Sequence, residues 1–86
     1  MNVRVFITGR AYHLAEAFPD VLEFDQGATV ASVLAKLADL LPEGGQLPPT
    51  CMVTLSGRHL GSVAGFDDCP LREGDEVALI VPVAGG

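Results

Sequence analysis

Basic residues are scarce in this chain: five Lys/Arg stand against eleven Asp/Glu in 86 residues, for a formal net charge of -6. Nucleic-acid binding driven by phosphate contacts needs clustered cations, and none are clustered here, so that class is excluded. A charged partner is expected to be basic. Only two cysteines occur, Cys51 and Cys69, without a second pair. They supply no zinc spacing, no CxxC redox motif and no disulfide framework, and they read as reduced packing residues. Long apolar runs are missing too. The longest, Val77 to Val83, is far short of the ~20 residues of a spanning helix, and the opening MNVRVFITGR has no signal-peptide hydrophobic region. These absences predict a soluble, cytoplasmic protein that contacts neither nucleic acid nor membrane.

Catalytic constellations are equally sparse. His13 and His59 stand alone, whereas a metal site needs three or four convergent ligands, so no metal is expected. Ser56-Gly57 lacks the GxSxG frame of a nucleophile elbow, and Gly9 and Gly27 belong to no phosphate-cradling motif. The adjacent carboxylates Asp67-Asp68 and Asp75-Glu76 point apart and have no apolar enclosure to split their pKa values. A chain of this length buries only roughly 60 to 65% of its unfolded surface, which leaves little to wall off a deep pocket. A self-sufficient enzyme is disfavoured.

What is present is a good core former, with 49% hydrophobic residues. Asn2 to Thr8 alternates, Val3, Val5 and Ile7 opposing Arg4, Phe6 and Thr8, and reads as a half-buried strand. Arg10 to Asp20 shows no clean period and reads as irregular. Val21 to Asp25 is a second strand, expected to pair with the first as a hairpin and closed by Gln26-Gly27. Thr29 occupies an N-cap position, and Val30, Val33, Leu34, Leu37, Leu40 and Leu41 trace one stripe of a helix from Thr29 to Leu41. Pro42 and Gly44-Gly45 end it.

Cys51 to Leu55 alternates up to the Ser56-Gly57 turn, and Arg58 to Ser62 returns as a short strand. Ala64 to Asp75 reads as a loop with a short helical turn near Leu71. Glu76 to Val83 is β-branched and apolar on both faces, the pattern of a central strand. One helix over a mixed sheet of four or five strands is a two-layer α+β domain, and this element order is that of the β-grasp fold.

The remaining feature is the ending. Val83-Ala84-Gly85-Gly86 leads from an apolar strand to an α-carboxylate on two residues without side chains. Such a tail is a thin probe, ~3.3 to 3.6 Å per residue, that can enter another protein's active site. The sequence divides at that point, into a domain over residues 1–82 and a tail over 83–86. A carboxylate is unreactive toward sulfur donors at neutral pH. It has to become an acyl adenylate, with AMP as leaving group, in a separate ATP-using enzyme. Attack by sulfide or a persulfide, with reduction where needed, then leaves a thiocarboxylate. The chain itself is expected to hold no cofactor.

The stretch ATVASVLAKLADLLP, the Gly74-Asp75-Glu76-Val77 segment and the ending Pro82-Val83-Ala84-Gly85-Gly86 resemble the MoaD/ThiS family of ubiquitin-like sulfur carriers. Within it, the ending is most similar to the MoaD-type small subunit of molybdopterin synthase, whose tail supplies the dithiolene sulfurs of molybdopterin. The resemblance implies Gly86 as the adenylated and sulfur-bearing terminus, with Gly85 as its spacer. It further implies a MoaE-like large subunit, a MoeB-like adenylating enzyme that consumes ATP, and a sulfur donor protein. Carriers serving thiamine thiazole or cysteine synthesis share the fold and the terminal glycines, and these readings stay open. Ubiquitin-like tagging is also open, although Lys36 is the only lysine and side-chain acceptors on this chain are scarce. A threaded tail needs a docking surface beside it. Phe6 is a candidate anchor, helped by Ile80, Pro82, Val83 and Ala84.

Overall fold

A computed structural model of the chain describes residues 1–9, 18–41 and 47–81. Among them run six strands and one helix: β1 (Asn2–Gly9), β2 (Val21–Glu23), α1 (Val30–Leu40), β3 (Met52–Leu55), β4 (Arg58–Ser62), β5 (Gly65–Phe66) and β6 (Glu76–Val81). They form a single mixed sheet in the order β2-β1-β6-β3-β4-β5. The first and last strands lie side by side and parallel, from Arg4 opposite Glu76 to Gly9 opposite Val81, and every other pairing is antiparallel.

The expected alternation of β1 holds. Val3 and Val5 are buried, whereas Arg4, Phe6 and Thr8 are exposed. β6 occupies the middle of the sheet, with Val77 and Leu79 fully buried, as its two-sided apolar pattern predicts. The helix covers one face of the sheet through Val30, Val33, Leu34 and Leu37, and Leu41 follows at its C-cap. Together with Val3, Val53, Leu60, Val77 and Leu79 these residues make one continuous core.

Three expectations need correction. The sheet has six strands rather than four or five, because Gly65–Phe66 adds to β4 as a two-residue edge strand inside the segment read as loop. Two residues carry no visible period, and the surrounding Gly and Asp mask them. No helical turn forms at Leu71. Its amide donates to the Ala28 carbonyl at 3.0 Å, and the neighbouring Pro70 bridges to Thr29, so the segment braces the helix N-terminus instead. β2 stops at Glu23, since beyond it Phe24 donates back to the Met1 carbonyl and Asp25 enters the Gln26-Gly27 turn. The end of the last strand beyond Val81, and the boundary between domain and tail, lie outside the described residues.

The Ser56-Gly57 turn joins β3 and β4 with φ of 47° and 87°, the doubly left-handed geometry of a type I′ hairpin. Ser56 has no glycine freedom at that angle, and its side chain is fastened: its hydroxyl donates to Asp75 Oδ1 at 2.9 Å and accepts from the Glu76 amide at 3.2 Å. Asp75 Oδ2 takes the Arg72 amide at 2.8 Å, and Gly74 turns at φ 83° to make that approach. The Gly74-Asp75-Glu76 segment is therefore a structural clasp between the start of the central strand and the far hairpin.

Candidate functional site

Strand register decides what surrounds the last described residues of β6. On the face away from the helix, Ile80 lies between Thr8 of β1 and Met52 of β3, and Ala78 lies between Phe6 and Thr54. Phe6 is 57% exposed and Ile80 39%. They sit one diagonal step apart, separated by the small Ala78, so the two large side chains form one shallow apolar patch with the half-buried Met52. Val21, also exposed, extends the apolar surface toward the edge beside Arg4. Large apolar side chains left in water on a sheet face are the kind of surface that a partner covers.

Of the expected site residues, Phe6 and Ile80 are thus brought together at the end of the sheet where β6 finishes. Pro82, Val83, Ala84, Gly85 and Gly86 lie outside the described residues. Met52 and Val21 were not singled out from the sequence. The alternation in β3 already sets Met52 opposite the buried Cys51 and Val53, but only the order β1-β6-β3 makes it a neighbour of Ile80.

Two surface depressions among the described residues flank the sheet. One, of about 190 Å³, lies beside Phe6 along β1 and is closed by Phe18, Pro19 and Asp20. The other, of about 420 Å³, is lined by Ser56, Arg58, Cys69, Arg72 and Asp75. It lies at the start of β6, roughly 16–20 Å along the strand from Val81 at 3.3 Å per residue. The larger recess therefore lies at the opposite end of β6 from Val81.

No group of three or more His, Cys, Asp or Glu residues able to hold a metal is found among the described residues. No helix among them is long and apolar enough to cross a membrane. Cys51 is fully buried, and burial pushes its thiol above the ordinary 9.0, partly countered by a hydrogen bond from the Ile80 backbone. It is a packing residue. Cys69 is half-buried at the rim of the larger recess.

A single helix held by a mixed sheet whose first and last strands run parallel at its centre defines a β-grasp domain. The same fold is seen in the crystal structure of SAMP1 from Haloferax volcanii, which superimposes with a TM-score of 0.71 over all of both chains at 21% identity. Residues 5–86 match the model of the ThiS family, so the chain belongs to that family of ubiquitin-like sulfur carriers. It is also 28% identical, over the full length of both proteins, to the molybdopterin synthase sulfur carrier subunit of Chlamydomonas reinhardtii.

Proposed function

We propose that this chain carries sulfur on its C-terminal glycine for the assembly of the molybdopterin dithiolene, as the small subunit of a molybdopterin synthase. The observation that carries the reading is the exposed Phe6–Ile80 patch near the end of the central strand, with Ile80 six residues before Gly86. That placement gives a partner a surface to hold while the terminus enters its active site. The full-length similarity to the Chlamydomonas carrier supports the molybdopterin acceptor.

The sequence of events follows from carboxylate chemistry. A MoeB-like enzyme uses ATP to convert the Gly86 carboxylate to an acyl adenylate, releasing pyrophosphate. The outer sulfur of a donor-protein persulfide attacks the acyl carbon and expels AMP, and a thiol reductant then cleaves the resulting acyl disulfide, which frees the donor thiol and leaves a thiocarboxylate. This soft nucleophile bonds through sulfur to an electrophilic carbon in a MoaE-like large subunit, and water cleaves the resulting thioester, which leaves the sulfur on that carbon and returns the carboxylate for another cycle. Gly85 contributes by what it lacks, since a side chain there blocks a narrow channel and restricts backbone torsions inside it. Phe6, Ile80, Pro82, Val83 and Ala84 hold the domain against each partner in turn. The whole cycle belongs in the cytoplasm.

The test is incubation with the activating enzyme, ATP and a sulfur donor, followed by intact mass. Exchange of oxygen for sulfur adds about 16 Da at the terminus. An unchanged mass with an enzyme that activates a known carrier rejects the reading. A variant with one alanine appended after Gly86 is expected to fold normally and gain nothing. Loading followed by sulfur transfer to a thiazole-forming acceptor, but not to the large subunit, moves the assignment to thiamine synthesis.

A further inference from the structure

The smaller recess has a chemistry of its own. β2 pairs only with Asn2, Val3 and Arg4, so from Val5 onward β1 is no longer flanked by that strand. The Val5 amide still donates to the Asp20 carbonyl at 2.9 Å, which pins the chain at Asp20, while Phe18 turns inward and is 8% exposed. Between them opens a slot of about 190 Å³ whose walls, among the described residues, are Val5, Phe6, Ile7, Phe18 and Pro19, with the charged Asp20 at its rim. A slot of this volume, open on one side to water, has room for a short run of methylenes.

We propose that this slot receives a long cationic side chain, a lysine or an arginine, presented by the protein that handles the tail. The aliphatic stem packs on Val5, Phe18 and Pro19, the head meets the exposed Asp20 carboxylate, and the open face of Phe6 adds a cation–π contact. Three observations select that occupant over an anionic or wholly apolar one: the Asp20 carboxylate at the rim, the exposed aromatic ring beside it, and the chain's net charge of -6. Phe6 lines both the slot and the outer patch, so a partner seated on the patch reaches the slot without leaving it. The inference rests on the carrier reading for the identity of the partner, but not for the chemistry of the slot.

Two measurements test it. In the first, n-butylguanidinium and n-pentanoate are titrated separately into the 15N-labelled full chain. The expected result is a saturable shift of the Phe6, Ile7 and Asp20 amides with n-butylguanidinium only, lost in Asp20→Asn. Equal shifts with n-pentanoate, or none with n-butylguanidinium, overturn the proposal. In the second, Asp20→Lys is compared with the native chain in the adenylation assay, with its thermal midpoint checked for folding. A rise in KM of about three- to tenfold is expected, the size of losing and then reversing one partly exposed charge contact. Loading of the native chain with an unchanged KM for Asp20→Lys refutes the slot and leaves the carrier reading intact. Failure of the native chain to load refutes the carrier reading, and the first measurement still decides the slot.

Discussion

At the scale of single residues, sterics and burial set the tolerances. Gly61 adopts φ 132°, and a Cβ there meets the Gly65 carbonyl oxygen at 2.5 Å and the Phe66 Cα at 3.0 Å. Both obstacles are backbone and cannot swing aside, so Gly61→Ala is expected to cost about 1–3 kcal/mol in chemical denaturation. A loss under a few tenths refutes the clash. The two thiols part in the same way. At neutral pH, Cys69 is expected to react promptly with a thiol reagent and Cys51 only on unfolding, and prompt reaction of both contradicts the burial of Cys51. Burial raises the Cys51 pKa in the folded chain, so the unfolded chain gives up this proton first. The stabilising difference is complete below pH 9.0 and fades as pH climbs through the higher folded value. Urea midpoints at pH 7.5 and pH 10 are therefore expected to fall further for the native chain than for Cys51→Ala.

At the scale of elements, the helix shows how far a pattern reaches. Its apolar stripe and N-cap position were legible in Thr29 to Leu41, and the structure bounds it at Val30–Leu40 with those caps. The anchoring of its start was not legible, because the partners are distant in sequence. The Ala31 amide donates to Asp68 Oδ1 at 2.9 Å, and the Val30 amide to the Cys69 carbonyl at 2.9 Å. Asp68 also accepts from the Cys69 amide at 3.0 Å, so one carboxylate both shapes its own loop and places negative charge at the helix N-terminus. Asp68→Ala is expected to lower stability by about 0.5–2 kcal/mol and Asp68→Asn by less, read from thermal unfolding. Equal effects remove the charge from the explanation. The strands divide along the same line. β6 announced its central place by being apolar on both faces, whereas β5 exists only because β4 offers it an edge.

At the scale of the whole molecule, the two poles of the sheet are given to different tasks. The pole where β6 begins is clasped by Asp75, Ser56 and Gly74, and the residues that carry much of the family resemblance are spent there on structure. The pole where β6 ends leaves Phe6 and Ile80 in water. A carrier whose terminus visits two enzymes has to let go of each, and one surface serves both in the proposed cycle. The activating enzyme and the large subunit are accordingly expected to compete for this domain, and a stable ternary complex rejects the shared surface. Replacing Phe6 and Ile80 together by serine is expected to weaken both associations by at least about tenfold while moving stability little, since neither side chain belongs to the core. Loss of binding to only one partner implies two surfaces.

The linear sequence determined the strand alternation, the helix stripe, the centrality of β6 and the ending Gly85-Gly86, because each is a local property of periodicity or of missing side chains. It also set Phe6 on the face away from Val3 and Val5. Only the tertiary structure decided that Met52 lies beside Ile80, that Asp68 caps a helix thirty-seven positions away, and that a slot opens where β2 begins. Those facts depend on strand order and register, which bring together residues separated by long stretches of chain. No short-range pattern encodes them, because a one-residue change of register places the same side chains on the opposite face.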